Sequence, residues 1–70
     1  MKLEVVILLL GLIDQVDRNY VTAEVTSLDG EPIIMEFPTV MFPCEVAEGD
    51  FFYVLSQDGV TEIRCGEPPE

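Results

Sequence analysis

The sequence predicts an all-β domain: a small five-stranded antiparallel barrel, SH3-like with an OB-like alternative, carrying one short helical turn. Three observations lead there. Residues Tyr20 to Ser27 alternate, with Val21, Ala23 and Val25 on one side and Thr22, Glu24 and Thr26 on the other, the period of a half-buried strand. Asp29-Gly30 and Gln57-Asp58-Gly59 separate runs of this kind, and Asp-Gly supplies the positive φ that a tight hairpin needs. The opening run Val5 to Ile13 is apolar and rich in β-branched residues, with no helix cap at either end; a helix apolar all round would have nothing to hide against in so small a protein.

Taken in order, the first strand is expected from Leu3 to Val16. Both its odd positions (Leu3, Val5, Ile7, Leu9, Ile13) and its even positions (Val6, Leu8, Leu10, Leu12, Val16) are apolar. A small antiparallel sheet buries one face, so the second face of this strand needs a cover. Asp17-Arg18-Asn19 reads as a turn, with Asn19 the residue to take positive φ. The second strand spans Tyr20 to Ser27. In the third, Ile33, Met35 and Phe37 point inward, Ile34 and Glu36 point away, and Pro38 ends the ladder because it has no N–H to donate. Thr39 to Gly49 is the long connection; it is expected to make one helical turn and to plug an end of the fold with Met41 or Phe42. Asp50 to Ser56 and Val60 to Cys65 are the fourth and fifth strands. Residues 1–65 thus form a single barrel domain, and residues 66–70 a tail. Closure into a barrel would remove the sheet edges that so apolar a chain otherwise exposes.

Seventy residues suffice for one small domain. Leu, Ile, Val and Phe make up 25 of them, which excludes a disordered tail. Fourteen acids against three bases give a net charge of −11. Residues 1–35 hold six acids and two bases, and residues 36–70 eight acids and one base, so neither half hides a basic surface. Affinity for nucleic acid comes mainly from cations meeting phosphates, and anionic lipid repels the same surface; neither nucleic acid nor membrane is an expected partner. The chain lacks His, which removes Ser–His and Cys–His nucleophiles and imidazole metal sites. No enzymatic activity and no cofactor are expected.

Cys44 and Cys65 are too far apart for a redox or zinc CxxC pair. They are compatible either with free, buried thiols in a reducing cytosol or with a bridge. The apolar start is followed by Asp14, Gln15 and Asp17, without a small-residue cleavage site, and is far shorter than the roughly 20 residues a membrane helix needs. A cytoplasmic protein is expected.

Ile13-Asp14-Gln15-Val16, Tyr20-Val21, Glu24, Asp29-Gly30-Glu31, Phe37-Pro38, Pro43 and Glu48-Gly49-Asp50, in this order, resemble a group of short prokaryotic proteins, domain of unknown function family 3006. The likeness covers residues 12–55. Gln15 stands where that family has Arg, Arg18 where it has a turn Gly, and its charged C-terminal segment is missing. The resemblance implies a small β-fold and carries no activity.

Glu45, Glu48 and Asp50 are the densest carboxylates, beside Gly49; they lack EF-hand spacing, and a turn entering a strand accounts for them. Asp14 and Asp17 are a second acidic pair, read as marking the end of the apolar run rather than as a catalytic dyad. Phe51, Phe52 and Tyr53 are consecutive, so they cannot all face one core. The candidate interaction residues are therefore Val6, Leu8, Leu10, Phe51, Phe52 and Tyr53. The expected function is a non-enzymatic structural or protein-interaction module that self-associates, as a dimer held through the first strand. The alternative is an acidic adaptor or inhibitor, in the extreme a nucleic-acid mimic, binding a basic protein.

Overall fold

The structure, a computed structural model, describes residues 5–27 and 30–68. Five strands, β1 (Val5–Val16), β2 (Tyr20–Ser27), β3 (Ile33–Pro38), β4 (Phe51–Gln57) and β5 (Val60–Cys65), form one antiparallel sheet in the order β3-β2-β1-β4-β5. A single 3₁₀ turn, Thr39–Met41, lies in the β3–β4 connection. The strands thus fall where the sequence places them to within a residue or two. Leu3 and Glu4, Asp29 of the first Asp-Gly pair, and the last two tail residues lie outside the described residues. At about 3.3 Å per residue, twelve-residue β1 matches the 41 Å long axis of the molecule.

The core sits on one face. Ile13, Val21, Ala23, Val25, Phe37, Phe42, Phe52 and Val54 form its buried cluster, with Leu9, Val16, Val46 and Ile63 packed at its margin. Its centre is aromatic. Phe37, Phe42 and Phe52 meet edge to face in all three pairings, with centroids 5.1 to 6.0 Å apart, the arrangement ring quadrupoles favour. Gly11 is the cross-strand partner of Phe52, and a Cβ at position 11 would overlap the Phe52 ring. The missing side chain is what lets that ring lie over β1.

The connection 39–50 is held from both sides. Thr39 donates its N–H to Asn19 O (2.9 Å) and its hydroxyl to Asp17 O (3.4 Å), anchoring the 3₁₀ turn on the β1–β2 turn. Phe42, not Met41, is the plug: Phe42 is buried, while Met41 is 52% exposed. The Ala47–Asp50 turn closes on itself, since the Asp50 carboxylate accepts from Ala47 N–H (2.9 Å) and Asp50 N–H donates to Ala47 O (3.1 Å). Gly49 takes a φ of 90° there, so Glu48-Gly49-Asp50 is turn chemistry.

Three expectations need correction. The sheet does not close: β3 and β5 each have one neighbour in it. The 39–43 segment stands where they would meet, facing β5 across a cleft. Ile33 and Met35 share the face of Val25 and Ala23, yet both are exposed, because at the open edge nothing lies over them. Asn19 does not take positive φ; among the described residues outside glycine only Asp58 does, at 56°. With Gly59 at 83°, it makes the two-residue hairpin between β4 and β5. Of the two readings left open for Cys44 and Cys65, the structure holds the bridge. The two residues form a disulfide with Cα atoms 6.6 Å apart, within the range such bonds require, and it ties the plug loop to the end of β5.

Two stability measurements follow. Phe42→Ala removes a ring from the cluster and is expected to cost about 3–5 kcal/mol, whereas Met41→Ala should stay within about 0.5 kcal/mol; denaturant midpoints of the two variants read the difference. Reducing the disulfide, or replacing both cysteines with Ser, releases a loop of sequence separation 21 and should lower stability by about 3 kcal/mol. An unchanged midpoint in reductant would show that the loop is held without the bond.

Candidate functional site

Strand β1 has two apolar faces because two irregularities divide it. The register with β4 shifts between Ile7 and Leu9, and the register with β2 shifts between Ile13 and Gln15. Such a bulge leaves one residue unpaired and changes which side chains share a face. Between the bulges, Leu9, Gly11 and Ile13 face the core, opposite Val54, Phe52 and Ala23. Leu10 and Leu12 face outward, opposite Tyr53 and Phe51. Beyond the first bulge the faces exchange: Ile7 stands opposite Leu55 on the outer side, and Val6 stands opposite Ser56 on the core side.

The outer face is therefore an apolar strip two strands wide, Ile7, Leu10 and Leu12 beside Leu55, Tyr53 and Phe51. Its flanks are polar. Thr26 and Glu24 lie across from Leu10 and Leu12 on β2, and Glu62 and Arg64 lie across from Leu55 and Tyr53 on β5. Tyr53 and Leu55 are buried, but Leu10, Leu12 and Phe51 remain 41%, 36% and 46% exposed. The chain after β5 turns along this end of the strip, with Gly66 N–H donating to Phe51 O at 2.7 Å. The result is a groove of 380 Å³ with Leu10, Leu12 and Phe51 in its lining; Glu24 and Thr26 border it from β2, and Glu67 and Pro68 from the tail. No cation lines it.

Arg64 nearby is engaged. Its guanidinium donates to Glu62 Oε2 from Nη2 (2.7 Å) and Nε (3.0 Å). That hydrogen bond, with the charge behind it, holds the Arg64 pKa above its ordinary value. Both partners are exposed, so the pair adds little to stability. A second, larger cleft of 560 Å³ lies on the core side between the 39–43 segment and β5, with Leu9, Phe42, Val54 and Ile63 in its lining.

The residues singled out from the sequence divide as follows. Leu10 and Phe51 belong to the outer groove. Val6 and Leu8 are exposed, but the bulge puts Val6 on the opposite face, so Val6, Leu8 and Leu10 do not form one surface. Phe52 is the centre of the core at 1% exposure, and Tyr53 is buried within the strip; neither is available to a partner. Leu12, Glu24, Glu67 and Pro68 were not anticipated. Leu12 and Glu24 carried a signal, the double apolar face of β1 and the outward phase of β2, whereas nothing in the tail announces its return to the sheet. Asp14, Asp17, Glu45, Glu48 and Asp50 are exposed, and no group of three or more His, Cys, Asp or Glu able to hold a metal ion occurs among the described residues. No helix among them is long and apolar enough to cross a membrane. No protein-family model, curated protein or solved structure matches the chain.

Proposed function

We propose that the chain is a non-enzymatic protein-interaction module whose working surface is the outer face of β1 and β4. The observation that carries this reading is the exposure of Leu10, Leu12 and Phe51 on the face opposite the core. Isolated apolar side chains on a surface are ordinary, but a contiguous strip in a two-strand seam marks an interaction surface. The acid balance and the absence of His support a role without catalysis and without nucleic acid or anionic membrane as partner.

The strand order favours the OB-like alternative over the SH3-like one. With β1 between β2 and β4 and a helical turn between β3 and β4, the sheet has the connectivity of an OB-like barrel open between β3 and β5. Membership in domain of unknown function family 3006 belongs to the same proposal: its Glu-Gly-Asp motif is, in this chain, a turn that leads into β4. The disulfide favours an oxidising compartment over the cytoplasmic one expected from the sequence, since a reducing cytosol would hold the two cysteines as thiols.

In isolation the module meets itself. Burying what remains exposed of Leu10, Leu12 and Phe51 contributes about 2–4 kcal/mol per subunit, while association costs at least about 4 kcal/mol in lost freedom, so the dimer is weak. Each subunit also carries −11, and salt screens that repulsion over about 8–10 Å without touching the apolar contact. In sedimentation equilibrium the mass should therefore move from the 7.8 kDa monomer towards the dimer as salt rises, and Leu10→Lys should hold the monomer. A monomer under every condition, or a dimer indifferent to Leu10→Lys, overturns the assignment of this face.

A further inference from the structure

We propose that the groove at Leu10, Leu12 and Phe51 receives a lysine or arginine side chain of a basic partner protein, with its aliphatic stem on the apolar floor and its charged head between Glu24 and Glu67. The inference rests on reading the outer face as the interaction surface, and it names what that surface selects. Carboxylates accept hydrogen bonds and donate none, so the occupant must bring donors and positive charge. The floor is apolar, so the occupant must also bring hydrocarbon. Long cationic side chains combine a methylene stem with a charged head, and the exposed ring of Phe51 adds a face on which such a cation rests.

Charge complementarity separates this occupant from the others. A second copy has little to place between the two carboxylates: the whole chain holds three cations against fourteen acids, and one of the three, Arg64, is already bonded to Glu62. A bare metal ion would gain nothing from the leucines. A partner segment covers Leu10, Leu12 and Phe51 together, the part of the strip that is exposed, since Tyr53 and Leu55 beyond it are buried. A small free amine lacks the apolar neighbours that would cover all three. The groove thus reads a basic residue with apolar neighbours, and it binds such a segment in preference to a second copy.

The test is fluorescence anisotropy with three labelled peptides, one alternating lysine and leucine, one lysine and serine, and one glutamate and leucine. The lysine–leucine peptide should bind best, and its affinity should fall as salt rises from about 50 to 300 mM. Glu24→Gln and Glu67→Gln should each weaken it by about three- to tenfold, as loss of one partner from a charge-assisted contact does. Glu48→Gln, in the turn before β4, should leave it unchanged and so reports the general pull of an acidic chain. Equal binding of the lysine–serine peptide, equal effects of Glu48→Gln and Glu67→Gln, displacement by an equal concentration of spermidine, or no binding each overturns the proposal. If the peptide fails while Leu10→Lys still abolishes the dimer, the outer face stands and only the basic partner is lost. If both fail, the face itself is wrong.

Discussion

The ring of Phe52 lying over Gly11 is the constraint from which the rest of the molecule follows. Glycine inside a strand weakens it unless something packs on the bare backbone, and here the cross-strand partner does so. With Phe52 folded onto β1, Phe37 from the edge strand and Phe42 from the connection close around it. β3 and β4 are separated in the sheet by β2 and β1, so contact between Phe37 and Phe52 requires the sheet to curl. The aromatic cluster sets that curvature, and the curvature gives the sheet its two unlike faces, one filled and one open.

The outer face of β1 and β4 carries part of the chain's surplus apolar surface, as do the open edge at Ile33 and Met35 and the turn at Val40 and Met41. The surplus is not evenly spread. Tyr53 and Leu55 are buried, while Leu10, Leu12 and Phe51, at the end where the tail turns back at Gly66, remain partly exposed. Net charge of −11 keeps copies of such a chain apart at low salt. Glu24 and Glu67, which border the groove, place part of that charge beside its apolar floor.

Elements governed by local chemistry were legible in the sequence. β2 alternates cleanly because it has one buried face; Pro38 ends β3, and Asp58-Gly59 makes the hairpin its dipeptide specifies. What was not legible depended on choices the residues leave degenerate. In a run apolar at nearly every position, a one-residue bulge exchanges one hydrophobic side chain for another, so nothing in Val5 to Ile13 reveals that Val6 and Leu10 part company. Phe51, Phe52 and Tyr53 likewise fix that the faces differ but not which ring is core; Gly11, distant in sequence but the cross-strand partner of Phe52, decides it. Met41 and Phe42 competed for one plug, and the ring wins because two other rings wait for it. The candidate site was half visible: its floor was predicted through Leu10 and Phe51, its charged walls were not, since Glu67 joins only once the tail turns back at Gly66.

An open five-stranded sheet leaves two edges that invite pairing with other strands, and this chain handles them in different ways. β3 is short and ends in Pro38, with Pro32 just before it, so its free side offers a brief ladder. β5 presents Glu62 and Arg64 at its edge, where charge opposes a further strand. Between the two, the 39–43 segment takes the position of the absent β3–β5 contact, and the Cys44–Cys65 bond fastens that segment to β5. A covalent link thus performs the closing that strand pairing performs in a complete barrel. It fixes the connection without demanding that the edges match in length, which is why the cleft beside it stays open while Phe42 remains seated.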